Sequence, residues 1–88
     1  MIFKFRILYD KRYKNLIGEV IYSDKRSERI KVSGRNRSIV IKSNRPLLLS
    51  KGLKHRRIDW KIVEGEINSP FVFGLICEEI ERVLKDFC

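Results

Sequence analysis

Thirteen of the 20 Lys and Arg residues lie between Lys25 and Lys61, with only two acids, Glu28 and Asp59, among them. Guanidinium and ammonium groups at this density are suited to holding anions, phosphate above all, and Arg does so with a planar fork of donors. Arg35 and Arg37 fall in the turn-like stretch Ser33–Ser38, and Lys51, Lys54, His55, Arg56 and Arg57 crowd a second irregular stretch. Arg29, Lys31, Lys42 and Lys61 complete the candidate anion-binding set. The whole chain carries a net charge of +9 and has a pI near 9.9. That balance points to a polyanion such as RNA or DNA. An acidic protein surface is the other partner that such charge fits.

Catalytic chemistry has little to work with. His55 is the sole histidine, and its "KGLKHRR" setting suits a phosphate-facing ring better than a general base. Ser50, His55 and Asp59 are the only local triplet of nucleophile, base and acid types, and Asp59 has Arg57 and Lys61 at hand as ion-pair partners. Glu64 and Glu66 alternate as a metal-binding acid pair does, but they flank Gly65 and read as a strand end. One His and two distant Cys offer no four-ligand zinc spacing. No Walker or dinucleotide-binding glycine motif is present. The residues describe a binding chain, with no enzyme activity, metal or cofactor expected.

The elements that must position these cations follow from periodicity. Phe3, Phe5, Ile7 and Tyr9 alternate with Lys4 and Arg6, the pattern of a strand with one buried face. "DKRYKN" reads as a polar hairpin loop. Leu16 to Tyr22 makes a second strand, with Leu16, Gly18, Val20 and Tyr22 in phase and Gly18 marking a bulge or a close backbone approach. After the turn "SDKRSE", Arg29–Ser33 and Arg37–Ser43 are strands carrying Ile30, Val32, Ile39 and Ile41 inward. Pro46 ends the second of these and restricts Arg45 to extended conformations. Leu47–Leu49 fits an edge strand or a buried crossing. Ile58–Ile67 is the last strand, with Ile58, Trp60 and Ile62 in phase.

Ser69 and Pro70 form a helix start. Phe73, Ile76, Cys77, Ile80, Val83, Leu84 and Phe87 then repeat at three- and four-residue steps, an amphipathic stripe. Gly74 weakens the first turn, which predicts a regular helix starting a few residues later.

This order gives an α+β domain. An antiparallel sheet of five to six strands, flat or curled towards a barrel, receives one C-terminal helix on its apolar face. One domain spans residues 1–88, with a basic β-rich part at 1–67 and the helix at 69–87. The opposite sheet face would then gather Arg29, Lys31, Lys42 and Lys61, joined by Lys4 and Arg6 if the first strand shares the sheet. Contacts of that kind track a phosphate backbone with low sequence preference.

The aromatic residues for base stacking are Tyr9, Tyr13, Tyr22 and Trp60, with Tyr13 the most exposed in expectation and Trp60 in phase with the core. Cys77 and Cys88 would stand about 16 Å apart along an intact helix, too far for a disulfide. Two unpaired thiols, an N-terminal stretch interrupted by Lys4 and Arg6, and no long apolar window favour a cytoplasmic chain without a membrane partner. The acidic outer helix face (Glu78, Glu79, Glu81) allows a monomer or weak head-to-tail self-association.

Overall fold

Strand β1 (Ile2–Tyr9) buries Phe3, Phe5 and Ile7 and exposes Lys4, Arg6 and Leu8, as its alternation requires. The computed structural model describes residues 1–35, 37–53 and 57–85. After β1 the chain reverses through Asp10 and Lys11 alone, both left-handed with φ of 54° and 61°. Two such residues give the turn whose twist matches that of the flanking strands. The polar loop expected through Asn15 is therefore a two-residue turn, and β2 (Arg12–Ser23) already includes Arg12–Asn15. The difference arises because Asp-Lys lacks the glycine that ordinarily signals this turn.

Strands β3 (Glu28–Ser33), β4 (Ser38–Ser43) and β5 (Trp60–Glu64) complete a sheet of order β1-β2-β3-β4-β5. All neighbours are antiparallel, and the sheet stays open with β1 and β5 as its edges. The leucine run contributes no strand. It lies in a short helix, α1 (Arg45–Ser50), with Leu48 buried. Pro46 sits in the first turn of α1, where a backbone N–H has no helical acceptor. Arg45, expected to be extended, is thus helical. Strand β5 is shorter than the expected Ile58–Ile67, ending before Gly65 at φ 83°.

Helix α2 (Pro70–Lys85) covers one face of the sheet. Its Ile76, Ile80 and Leu84 join Phe3, Phe5, Ile7, Ile30, Val32, Ile39 and Ile41 in a single core. Trp60 packs partly against this core, and its Nε1–H donates to Glu81 Oε1 at 2.7 Å, tying β5 to α2. Phe87, the last residue of the expected stripe, lies outside the described residues.

The helix begins at Pro70, with the Ser69 hydroxyl accepting the Val72 N–H at 3.3 Å, so Gly74 does not delay it. A Cβ at Gly74 would meet nothing within 4 Å. Gly74→Ala should therefore stabilise the fold by roughly 0.5–1 kcal/mol through backbone entropy alone. A thermal melt reads this as a rise in Tm; a fall would mean that Gly74 has a contact this packing does not account for.

The pairing is irregular at two places, between β2 and β3 and between β4 and β5 at Val40 and Ile41. The ladder between β2 and β3 shifts register between Val20 and Tyr22, a bulge that leaves Ile21 as the extra residue. Glu28, read from sequence as part of a polar turn, is 1% exposed and holds Ser43 and Arg45 by hydrogen bonds.

Candidate nucleic-acid interface

The face of the sheet away from α2 is built by the cross-strand register. Tyr22 stands opposite Arg29, Arg29 opposite Lys42, and Lys42 opposite Lys61. One lateral row thus crosses β2, β3, β4 and β5 and carries three cations side by side. Neighbouring strands lie about 4.8 Å apart, and like charges directly opposite one another destabilise a sheet. Lys31 shares the face, opposite Glu19 on one side and Val40 on the other. Lys4 and Arg6 share it too, because β1 belongs to the same sheet.

Among the described residues no carboxylate lies within ion-pair distance of Arg29, Lys31 or Lys42. Glu19 faces Lys31 in register without closing a pair. The Lys61 ammonium is 4.0 Å from Asp59, with both side chains well exposed, a contact that solvent largely screens. The row therefore keeps its positive charge.

At the β2 end of the row the surface forms a shallow concavity lined by Ile21, Tyr22, Asp24, Ser27, Arg29 and Lys42. The Tyr22 hydroxyl donates to Asp24 Oδ2 at 2.6 Å, and Asp24 Oδ1 accepts the N–H groups of Arg26 and Ser27 at 2.7 and 2.8 Å. The Tyr22 hydrogen bond, then the two from the backbone, hold the Asp24 carboxyl down at about 2. The same bond raises the Tyr22 phenol above its ordinary value. Both carboxylate oxygens are thus committed to their own hairpin.

No family model, curated protein or solved structure matches the chain.

The sequence-predicted cations divide into groups. Arg29, Lys42 and Lys61 stand in one row, with Lys31 beside it. Lys51, just after α1, and Arg57, just before β5, are exposed in the connection at that same end of the sheet. Arg35 and Arg37 are exposed at the opposite end of the β3–β4 hairpin, which the Gly34 N–H closes on the Arg37 carbonyl at 2.8 Å. They lie beyond Ser33, the end of β3, which is itself roughly 13 Å along the strand from Arg29 at about 3.3 Å per residue. Lys54, His55 and Arg56 lie outside the described residues, and with them any test of the Ser50–His55–Asp59 grouping.

The aromatics separate as well. The Arg6 guanidinium lies 4.4 Å from the Tyr13 ring centre, and the Lys14 ammonium 5.0 Å from that of Tyr9. Trp60 is engaged by α2. Tyr22, placed in phase with Val20 by sequence reading, is turned onto the cationic face by the bulge and is 49% exposed. Gly18 is the residue that the sequence marks for a bulge, and the bulge lies three residues beyond it.

Cys77 is buried, and burial, then Glu81 and Glu78, push its thiol up to about 12. It is a packing residue. Among the described residues no group of three or more His, Cys, Asp or Glu is placed to hold a metal ion. No helix among them is long and apolar enough to cross a membrane.

Proposed function

We propose that this chain is a small nucleic-acid-binding domain that contacts the phosphate backbone with the basic face of its sheet and reads little sequence. The observation that carries this reading is the in-register row Arg29–Lys42–Lys61. A face that only needs solvation is served as well by cations interspersed with acids. Three cations in adjacent strands, of which Lys61 has one exposed acid within reach, work against the sheet, and a polyanion would relieve that repulsion while releasing counterions to the solvent. Lys31 extends the row along β3 towards Arg35 and Arg37, and Lys51 and Arg57 extend its other end. Phosphate contacts of this kind fix position on the strand without specifying bases.

Lys42→Glu tests the reading with two measurements that should move in opposite directions. The substitution places an acid between Arg29 and Lys61, turning two repulsive cross-strand pairs into attractive ones worth about 0.2–1 kcal/mol each, so Tm should rise. Affinity for a labelled RNA or DNA oligonucleotide, followed by fluorescence anisotropy, should fall. The slope of log affinity against log salt should flatten by about 0.7 or more for a single strand. A stabilised variant that binds as wild type would remove the row from the interface.

A further inference from the structure

We infer that the ligand is a single strand, with one base stacked on the Tyr22 ring and its flanking phosphates held by Arg29 and Lys42. The inference rests on the function proposed above and narrows it to a substrate class. It begins with the bulge. Without the extra residue Ile21, Tyr22 would follow Leu16, Gly18 and Val20 towards the core. With it, the ring stands opposite Arg29 on the cationic face. Bulges recur where a side chain has to be re-aimed, and they interrupt the ladder to do so.

The ring is also held. Its hydroxyl is bonded to Asp24, which is itself fixed by two backbone N–H groups of the β2–β3 turn. This accounts for the hydroxyl but leaves about half of the residue open to solvent, beside Ile21, which is 48% exposed. A fixed, open ring next to two cations suits an unstacked base, whose flat face finds an aromatic partner while its phosphates find the charges. Arg29 lies one strand from Tyr22 and Lys42 two strands away, or about 5 and 10 Å. A duplex hides the flat faces of its bases and would use only the cations. Asp24, the acid in the concavity, has both oxygens turned to its own hairpin, where the Tyr22 hydroxyl and two N–H groups partly offset its charge.

The experiment is an anisotropy titration of the full chain, stripped of nucleic acid. It compares single-stranded RNA, single-stranded DNA, duplex DNA, inorganic polyphosphate and poly-glutamate. Wild type, Tyr22→Leu and Tyr22→Phe are measured, each with a melt to show that it folds. The expected result is tighter binding of a single strand than of duplex. Tyr22→Leu should lower single-strand affinity about tenfold with a smaller change on polyphosphate, and Tyr22→Phe, which keeps the ring, should retain the single-strand preference. Equal binding of single strand and duplex, with Tyr22→Leu lowering both alike or neither, would overturn the stacking site and leave backbone binding standing. No binding to any nucleic acid at low salt, or binding to poly-glutamate alone, would overturn both. The RNA and DNA arms identify which single strand is preferred.

Discussion

Replacing Glu28 with Ala should remove about 3–5 kcal/mol of folding stability, the largest loss expected from any polar substitution among the described residues. Glu28 is 1% exposed. Arg45 engages it with two donors, Nε to Oε1 at 2.6 Å and a terminal nitrogen to Oε2 at 2.8 Å. Ser43, itself 2% exposed, adds its hydroxyl to Oε1 at 3.0 Å. Removing the carboxylate takes away the acceptor of two donors of a largely buried guanidinium and of the buried Ser43 hydroxyl, and the desolvation that this acceptor offset is what costs so much.

A domain of this size has roughly 5–15 kcal/mol in total, so the variant should unfold at a much lower urea midpoint. The slope of the transition should stay unchanged if the native state is otherwise intact. Glu28→Leu combined with Ser43→Ala and Arg45→Met should recover much of the loss, because an apolar trio avoids the desolvation altogether. A single Glu28→Ala variant as stable as wild type would show that water reaches and solvates the pair.

The position of this pair ties it to the cationic face. Glu28 and Ser43 are partners across β3 and β4, immediately beside the outward pair Arg29 and Lys42. Arg45 opens α1. The buried carboxylate thus clamps the end of the hairpin where two bases repel each other on the outer surface. The attraction inside fixes a register that the charges outside would fray. Glu28, the acid next to Arg29 in sequence, is thus spent beneath the row and does not neutralise it.

The legibility of these features in the sequence follows from how local their causes are. The core alternation of Phe3, Phe5 and Ile7, the inward Ile30, Val32, Ile39 and Ile41, and the stripe of α2 as far as Leu84 are periodic, and these are found as read. The open α+β architecture follows from them, since one apolar sheet face and one apolar helix stripe have only each other to cover. The gathering of Arg29, Lys42 and Lys61 on one face was legible for the same reason.

What was not legible depends on contacts distant in sequence or on turns without their usual residues. Glu28 resembles any acid in a polar turn until Arg45, 17 positions later, is brought against it. Asp10–Lys11 lacks glycine, so the turn looks like a longer loop. The bulge at Ile21 has no residue signature and reverses the side of Tyr22. The leucine run, read as an edge strand or a buried crossing, lies in a helix of six residues, too short to show a helical period in the sequence.

Gly18→Ala should destabilise the fold by about 1–3 kcal/mol, the reverse of the gain expected at Gly74. Gly18 is directly opposite Phe3 in the β1–β2 ladder, and the Phe3 ring lies across it. A Cβ there would overlap the ring, with Cε2 only 2.6 Å away. The ring has little room to retreat: it is buried, tilted against Phe5 at 5.8 Å between centroids, and roofed by the core that α2 completes. The glycine is the space the aromatic occupies, so the two positions should be coupled.

Phe3→Leu alone opens a cavity and destabilises on its own account. Combined with Gly18→Ala it should cost less than the sum of the two, because the new methyl group enters the vacated volume. Additive losses would mean that the ring is not what excludes a side chain from position 18, and a neutral Gly18→Ala would show that Phe3 can move aside. Gly18 stands on β2 four residues before Tyr22, but it pairs with Phe3 and Val32 on the core face, opposite the face that carries the row. Affinity for a single strand, measured below the lowered Tm, should therefore stay near that of wild type, and this separates loss of packing from loss of the binding face.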